Sequence, residues 1–250
     1  LFDQKKIDDA IKYYEEGIKI DPKYAAIYDN LGTAYKSKGE YEKAESYYLK
    51  SINLDENKPE PLNNLGNLYI VLNKSQKAID LYKKAIKVNS NFFSSYYNLG
   101  VACKNVGEFD EAKKYLNEAI KLNDLFYKGH RAMSELIKYS KNENHYNILI
   151  KLYKDDKIDK SRKTELIFAL AKATEDLNKY KDAYSYYKEA NKYRRKEIFF
   201  SLKDEKKEFD SIKNVFNQTL FKKYRGLGNK DSSAIFILGM PRSGTTLIEQ

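Results

Sequence analysis

The sequence predicts an all-α solenoid of stacked helix pairs, followed at its end by the first strand, loop and helix of an α/β domain. Three observations carry that prediction. Small and apolar residues recur with a 34-residue period, the chain is charged and tyrosine-rich with no long apolar run, and the closing segment AIFILGMPRSGTTLIEQ is patterned unlike anything before it. A fixed period of this length is the mark of stacked supersecondary units, none of which buries its apolar face alone.

The period is set by Leu31-Gly32, Leu65-Gly66 and Leu99-Gly100, each 34 residues after the last. Tyr35, Tyr69 and Cys103 stand four residues past each Leu, Ala44, Ala78 and Ala112 thirteen past it, and Tyr48, Tyr82 and Leu116 one helical turn later. The small residues let two helices approach and the large ones fill the space between neighbouring units. KGEYEKA, LNKSQKA and VGEFDEA mark the turn inside each pair, with Gly39, Asn73 and Gly107 where a left-handed residue is wanted. A partial unit precedes them (Ala10, Tyr14, Gly17, then Asp21-Pro22), and ELIFALAKATEDLNKYKDAYSYYKEANKYRR places Leu170, Ala183, Tyr187 and Ala190 in the same phase. That last unit starts three residues late, so 125–160 reads as a degenerate helical pair with an insertion, carrying Met133-Ser134 instead of Leu-Gly.

These in-phase positions resemble the tetratricopeptide repeat. The resemblance implies a right-handed solenoid over residues 1–198, with units near 1–24, 25–58, 59–92, 93–124, the degenerate 125–160 and 164–197. Most of the 23 tyrosines fall on repeat positions, where they pack the core rather than form a base-stacking platform. One polar feature keeps the period: Asn30, Asn64 and Asn98, each just before the Leu. On a repeat's first helix this position turns toward the concave groove, where side-chain amides hold the backbone of an extended peptide through paired donor and acceptor bonds. The row resembles the asparagine ladder of the superhelical repeats in the O-linked N-acetylglucosamine transferase. The alternative is a common repeat variant with local hydrogen bonding only.

Composition sets the outer limits. Two hundred and fifty residues hold one or two domains. No window reaches the roughly eighteen apolar residues of a membrane span. The net charge is +10, but the lysines are dispersed and arginines few, which fits solvated helix faces and argues against nucleic acid as a partner. The lone Cys103 excludes an internal disulfide and reads as a small core residue. His130 and His145 lack metal-ligand spacing and read as ordinary surface or helix-pair residues, so no metal is expected. Residue 1 is Leu, so both ends are taken as truncated, with a bacterial cytoplasm as the plain expectation.

Past the last repeat, Phe209, Ile212, Phe216 and Leu220 predict an amphipathic helix over about 204–223, and Gly226, Gly228 and NKDSS a connector, so 199–233 is a linker. AIFIL at 234–238 then reads as a strand buried on both faces, and GMPRSGTT as a phosphate-loop frame with Thr245 where Lys is usual. Backbone N–H groups of Arg242 through Thr246 can converge on an anion at the start of the helix that TTLIEQ opens, with Arg242 supplying positive charge. A loop without Lys argues against an ATP- or GTP-cleaving enzyme.

AIFILGMPRSGTTLIEQ is similar to the 5′-phosphosulfate-binding segment of sulfotransferases, in the Pro-Arg-Ser-Gly-Thr-Thr form of tyrosylprotein sulfotransferases. The whole chain resembles bacterial tetratricopeptide-repeat sulfotransferases, with 234–250 as the truncated start of the catalytic domain. That family implies sulfuryl transfer from 3′-phosphoadenylyl sulfate (PAPS) to an acceptor hydroxyl, such as a protein tyrosine. It implies Arg242 as the group stabilising leaving-group charge and Arg242, Ser243, Gly244, Thr245 and Thr246 as the donor's phosphate cradle, with no metal. Its general base would lie beyond Gln250, so this chain is not expected to turn over. The competing reading is a non-catalytic repeat scaffold that binds protein or peptide in its groove, and a nucleotide-cleaving protein is disfavoured by Thr245.

Overall fold

A computed structural model describes residues 2–140, 143–155, 160–198 and 201–226, and every regular element among them is helical. The chain divides into two compact units, Leu1–Glu197 and Ile198–Gln250. In the first, α1 (Phe2–Ile20) precedes three regular antiparallel pairs: α2 (Ala25–Lys38) with α3 (Tyr41–Leu54), α4 (Pro59–Val71) with α5 (Ser75–Val88), and α6 (Phe93–Asn105) with α7 (Phe109–Leu122). Then follow α8 (Tyr127–Leu136), α9 (Asn144–Lys154), a short 3-10 turn (Lys160–Lys163), α10 (Thr164–Asp176) and α11 (Tyr180–Glu197).

Each regular pair is locked by a small-to-large contact. A β-carbon on Gly32 would lie 2.6 Å from the Tyr48 ring, one on Gly66 2.5 Å from Tyr82, and one on Gly100 2.7 Å from Leu116. Only glycine lets the two backbones approach this closely, which is why the pair recurs at the repeat period. Ala44, Ala78 and Ala112 are fully buried on the facing helices. The two tyrosine hydroxyls are not left orphaned: Tyr48 shares a 3.1 Å hydrogen bond with Thr33 and Tyr82 donates to Asn67 at 2.8 Å. The turns close as their residues dictate, with Gly39, Asn73 and Gly107 at φ 80°, 57° and 86°. Asn178 does the same between α10 and α11, at φ 60°.

Successive pairs stack through the second helix of one and the first helix of the next, while neighbouring first helices also meet, α2 with α4 and α4 with α6. They approach more closely than the second helices do, so they line the inner wall of the curved array.

The degenerate region departs from this scheme. Ser134 stands where the seam glycine would be and α8 is only ten residues long; it packs mainly against α10, and α9 packs against α10 as well. Neither helix ends in glycine. Lysines from α10 and the turn before it do that work: Lys172 donates to the Ile137 carbonyl at the end of α8 and to Asp176, while Lys163, fully buried, donates to the Leu152 carbonyl of α9 at 2.9 Å and to those of Tyr153 and Asp155. Cations at helix C-termini satisfy carbonyls that have no intrahelical donor.

In the second unit, the single amphipathic helix expected over 204–223 is two: α12 (Leu202–Val215) and α13 (Gln218–Lys223). The break has a local cause, because the Asn217 side chain accepts the Leu220 N–H at 3.0 Å and starts a new helix there. Phe209, Ile212 and Phe221 are exposed on these helices, as is Phe216 between them. The expected strand at 234–238 and the loop after it lie outside the described residues.

Candidate functional site

The asparagine row lies on the first helices, one residue before each seam leucine, and two of its three members reach to the preceding first helix. Asn64 Nδ2 donates to both carboxylate oxygens of Asp29, at 3.0 and 3.1 Å. Asn98 Nδ2 donates to Asn63 Oδ1 at 2.9 Å, an oxygen that also accepts from Ser95 Oγ at 3.1 Å. These bonds join α4 to α2 and α6 to α4, so the row runs where first helices meet. The Oδ1 atoms of Asn64 and Asn98 make no hydrogen bond among the described residues. Asn30 is exposed and has no polar partner among them. Burial raises the pKa of the Asp29 carboxyl, with the Glu60 charge adding to it and the Asn64 bond opposing both. Beside Asp29, a cavity of about 440 Å³ is lined by Tyr24, Ser51, Asp55, Lys58 and Glu60.

The sequence reading singled out the position one before each seam residue and overlooked the one two before it. That second row reads Asp29, Asn63, Tyr97, Arg131 and Phe168, and it passes from acidic through neutral to cationic and aromatic along the array. The signal was available in the same period. Around Arg131 the inner wall opens into two adjoining cavities of about 320 and 460 Å³, which share Lys128 and Glu165.

The two histidines, 15 residues apart in sequence, sit ring to ring. His130 and His145 stack at 5.2 Å, with His130 Nδ1 2.9 Å from His145 Nε2. His130 Nε2 is 2.9 Å from the Asp124 carbonyl, and His145 Nδ1 is 2.7 Å from the Tyr139 hydroxyl. A carbonyl only accepts, so His130 carries its proton on Nε2, and its Nδ1 accepts from the Nε2–H of His145. The remaining nitrogen of His145 then accepts from Tyr139. All groups are satisfied with both rings neutral. Burial lowers both histidine pKa values, that of His145 to about 4 with His130 as the second cause.

Arg242, Ser243, Gly244, Thr245 and Thr246 lie outside the described residues. Among those that are described, no group of three or more His, Cys, Asp or Glu is placed to hold a metal ion. No helix among them is long and apolar enough to cross a membrane.

Comparisons with known proteins agree with the packing. Residues 1–39 match a family described as TPR repeat, and residues 25–58, 59–92 and 93–124 match families described as tetratricopeptide repeat. Residues 1–124 are tetratricopeptide repeats. The tetratricopeptide-repeat fold continues beyond them. The solved structure of Pseudomonas aeruginosa pilF has a TM-score of 0.58 at 20% identity, covering 74% of this chain and 83% of that one. YrrB, described as a TPR protein with an unusual peptide-binding site, has a TM-score of 0.51 at 18% identity, covering 73% and 92%. An uncharacterized protein of Aquifex aeolicus (strain VF5) is 28% identical over 116 residues, 46% of this chain. The matched stretch is only 15% of that relative's length.

Proposed function

We propose that this chain is a repeat scaffold that holds an extended polypeptide along the inner wall of its first helices. The observation carrying this reading is the asparagine row. Asn64 and Asn98 are held in place by Asp29 and Asn63, while their carbonyl oxygens remain uncommitted and spaced by one repeat. Oriented amide groups at a repeating interval suit a repeating ligand, and the polypeptide backbone is one. YrrB, which shares the fold, is described as having a peptide-binding site, and that supports the reading. The test is to pan a random peptide display on the protein and measure selected peptides by fluorescence anisotropy. Replacing Asn30, Asn64 and Asn98 together with Ala weakens their binding by about tenfold, the loss of one or two good hydrogen bonds. No enrichment over an unrelated helical protein would sink the idea.

A second reading concerns the parent protein and rests on one sequence observation, the segment GMPRSGTTLIEQ. We propose that it begins a sulfotransferase domain, with Arg242 through Thr246 cradling the 5′-phosphosulfate of PAPS, and that the repeats present the acceptor. Calorimetry of the intact gene product with adenosine 3′,5′-bisphosphate, set against ATP and magnesium, tests it. Preference for ATP with magnesium overturns it.

A further inference from the structure

We propose that the wall formed by α8, α10 and α11 binds an acidic stretch of an extended polypeptide, anchored by a stack of Arg131, Phe168 and Arg194. The proposal deepens the scaffold reading and rests on it. None of these residues belongs to the asparagine row.

The anchor is unusual in what it leaves unpaired. The Arg131 guanidinium carbon lies 5.0 Å from the Phe168 ring centre and that of Arg194 lies 5.9 Å from it, so two cations share one aromatic face system. Arg194 is held by Glu165 and, at 3.0 Å, by Glu197. Among the described residues Arg131 is held only at Nε, 3.3 Å from Glu135. Its Nη1 is buried and has no hydrogen-bond partner among the described residues. A buried donor on a charged group costs free energy unless something accepts from it, and a carboxylate matches the guanidinium fork.

The surroundings favour such a guest. The two cavities beside the stack are lined by Lys104, Lys128, Arg131, Arg162 and Arg194 against Glu135, Glu165 and Glu197, five cations to three carboxylates. Lys104 pairs with Glu135 at 2.8 Å. Lys128 and Arg162 make no ion pair among the described residues, which leaves two cations for a ligand. Tyr97 and Phe126, edge to face at 4.9 Å, supply apolar surface on which side-chain stems can lie.

The interleaved carboxylates decide the class of ligand. A nucleic-acid strand brings a charge at every phosphate and would meet Glu135, Glu165 and Glu197 head on, whereas a peptide places one or two carboxylates where the cations are and neutral backbone elsewhere. Total free volume of the order of several hundred Å³ suits a few side chains.

The experiment uses the full chain and two labelled peptides of about ten residues, one rich in Glu and its Gln counterpart, in anisotropy titrations at low and moderate salt. The Glu peptide is expected to bind at least about tenfold more tightly, with the difference shrinking as salt rises. R131Q should weaken it by about tenfold. The double variant K128Q/R162Q, at positions free of internal pairs, should weaken it several-fold with an unchanged melting temperature. Equal binding of both peptides overturns the proposal, as does displacement of the Glu peptide by inorganic phosphate at equal concentration, which would make this a phosphate site. If display-selected peptides bind and the Glu peptide does not, this proposal falls while the scaffold reading stands. If neither binds, both fall.

Discussion

At the scale of single residues, the His130–His145–Tyr139 chain makes a prediction about pH. Every hydrogen bond in it runs one way, from Tyr139 to His145 to His130 to the Asp124 carbonyl, and the first two need a neutral ring to accept. Protonating one histidine forces the Tyr139 hydroxyl to turn from donor to acceptor, and protonating both sets two N–H groups against each other. Burial lowers the pKa of His145 to about 4 from the 6.5 of an unperturbed histidine, so the folded state binds fewer protons than the unfolded one between those values. The stability this group contributes is complete above pH 6.5 and is lost as pH falls toward 4, a change on the order of 3 kcal/mol. Thermal melts from pH 7 to 5, run on the protein and on a variant lacking the imidazole, isolate the effect. H145Q should start from a lower melting temperature but lose far less over that window. Parallel slopes for the two proteins would refute the assignment. Nothing in the sequence disclosed this chain, because it depends on the loop between α8 and α9 folding back, and no spacing rule encodes that return.

Among elements, legibility follows the physics that repeats. Helices α2 to α7 were readable because each rests on the same local decision: glycine opposite Tyr48, Tyr82 or Leu116, alanine opposite the neighbouring turn, and a left-handed residue between. Such choices leave a period in the sequence. Helices α8 and α9 were readable as helices but not as packed elements. Their ends are satisfied by Lys172 and Lys163, which belong to a later part of the chain and look in sequence like two more surface lysines. A cap supplied at long range has no local signature, whereas the local cap at Asn217, which splits the expected long helix into α12 and α13, could have been seen. The functional rows follow the same rule. The asparagines announced themselves by repeating, while the cations around Phe168 are each unique to one unit and converge only when α8 packs on α10. The acidic-to-cationic drift along the neighbouring row, from Asp29 to Arg131, needed only the period itself and was open to reading.

On the scale of the whole repeat unit, the core is segmented, and that bears on how its two candidate ligand surfaces communicate. One cluster runs from Ile11 to Ala112 through the regular pairs, and a second gathers Tyr139, Leu149, Leu152, Leu166, Ala169, Leu170 and Ala173 around α9 and α10. Between them stands a small cluster of Leu116, Ile120, Ala132 and Met133. Because each repeat is stabilised by its neighbours alone, cooperativity across the array is only as strong as this joint. The asparagine row lies on its N-terminal side and the cationic wall on its C-terminal side. Met133 is 6% exposed, and truncating a buried methionine to alanine costs about 2 kcal/mol or more. In M133A that loss should fall unevenly. Hydrogen exchange in rising guanidinium should show α8 to α11 opening earlier by about 2 kcal/mol, while α2 to α5 shift by less than about 0.5 kcal/mol. A peptide long enough to engage both surfaces would bridge the joint and restore common opening, whereas one confined to the asparagine half would not. A uniform shift over all helices in the variant would mean that the array unfolds as a single block, and the two surfaces would then have to be treated as one rigid site.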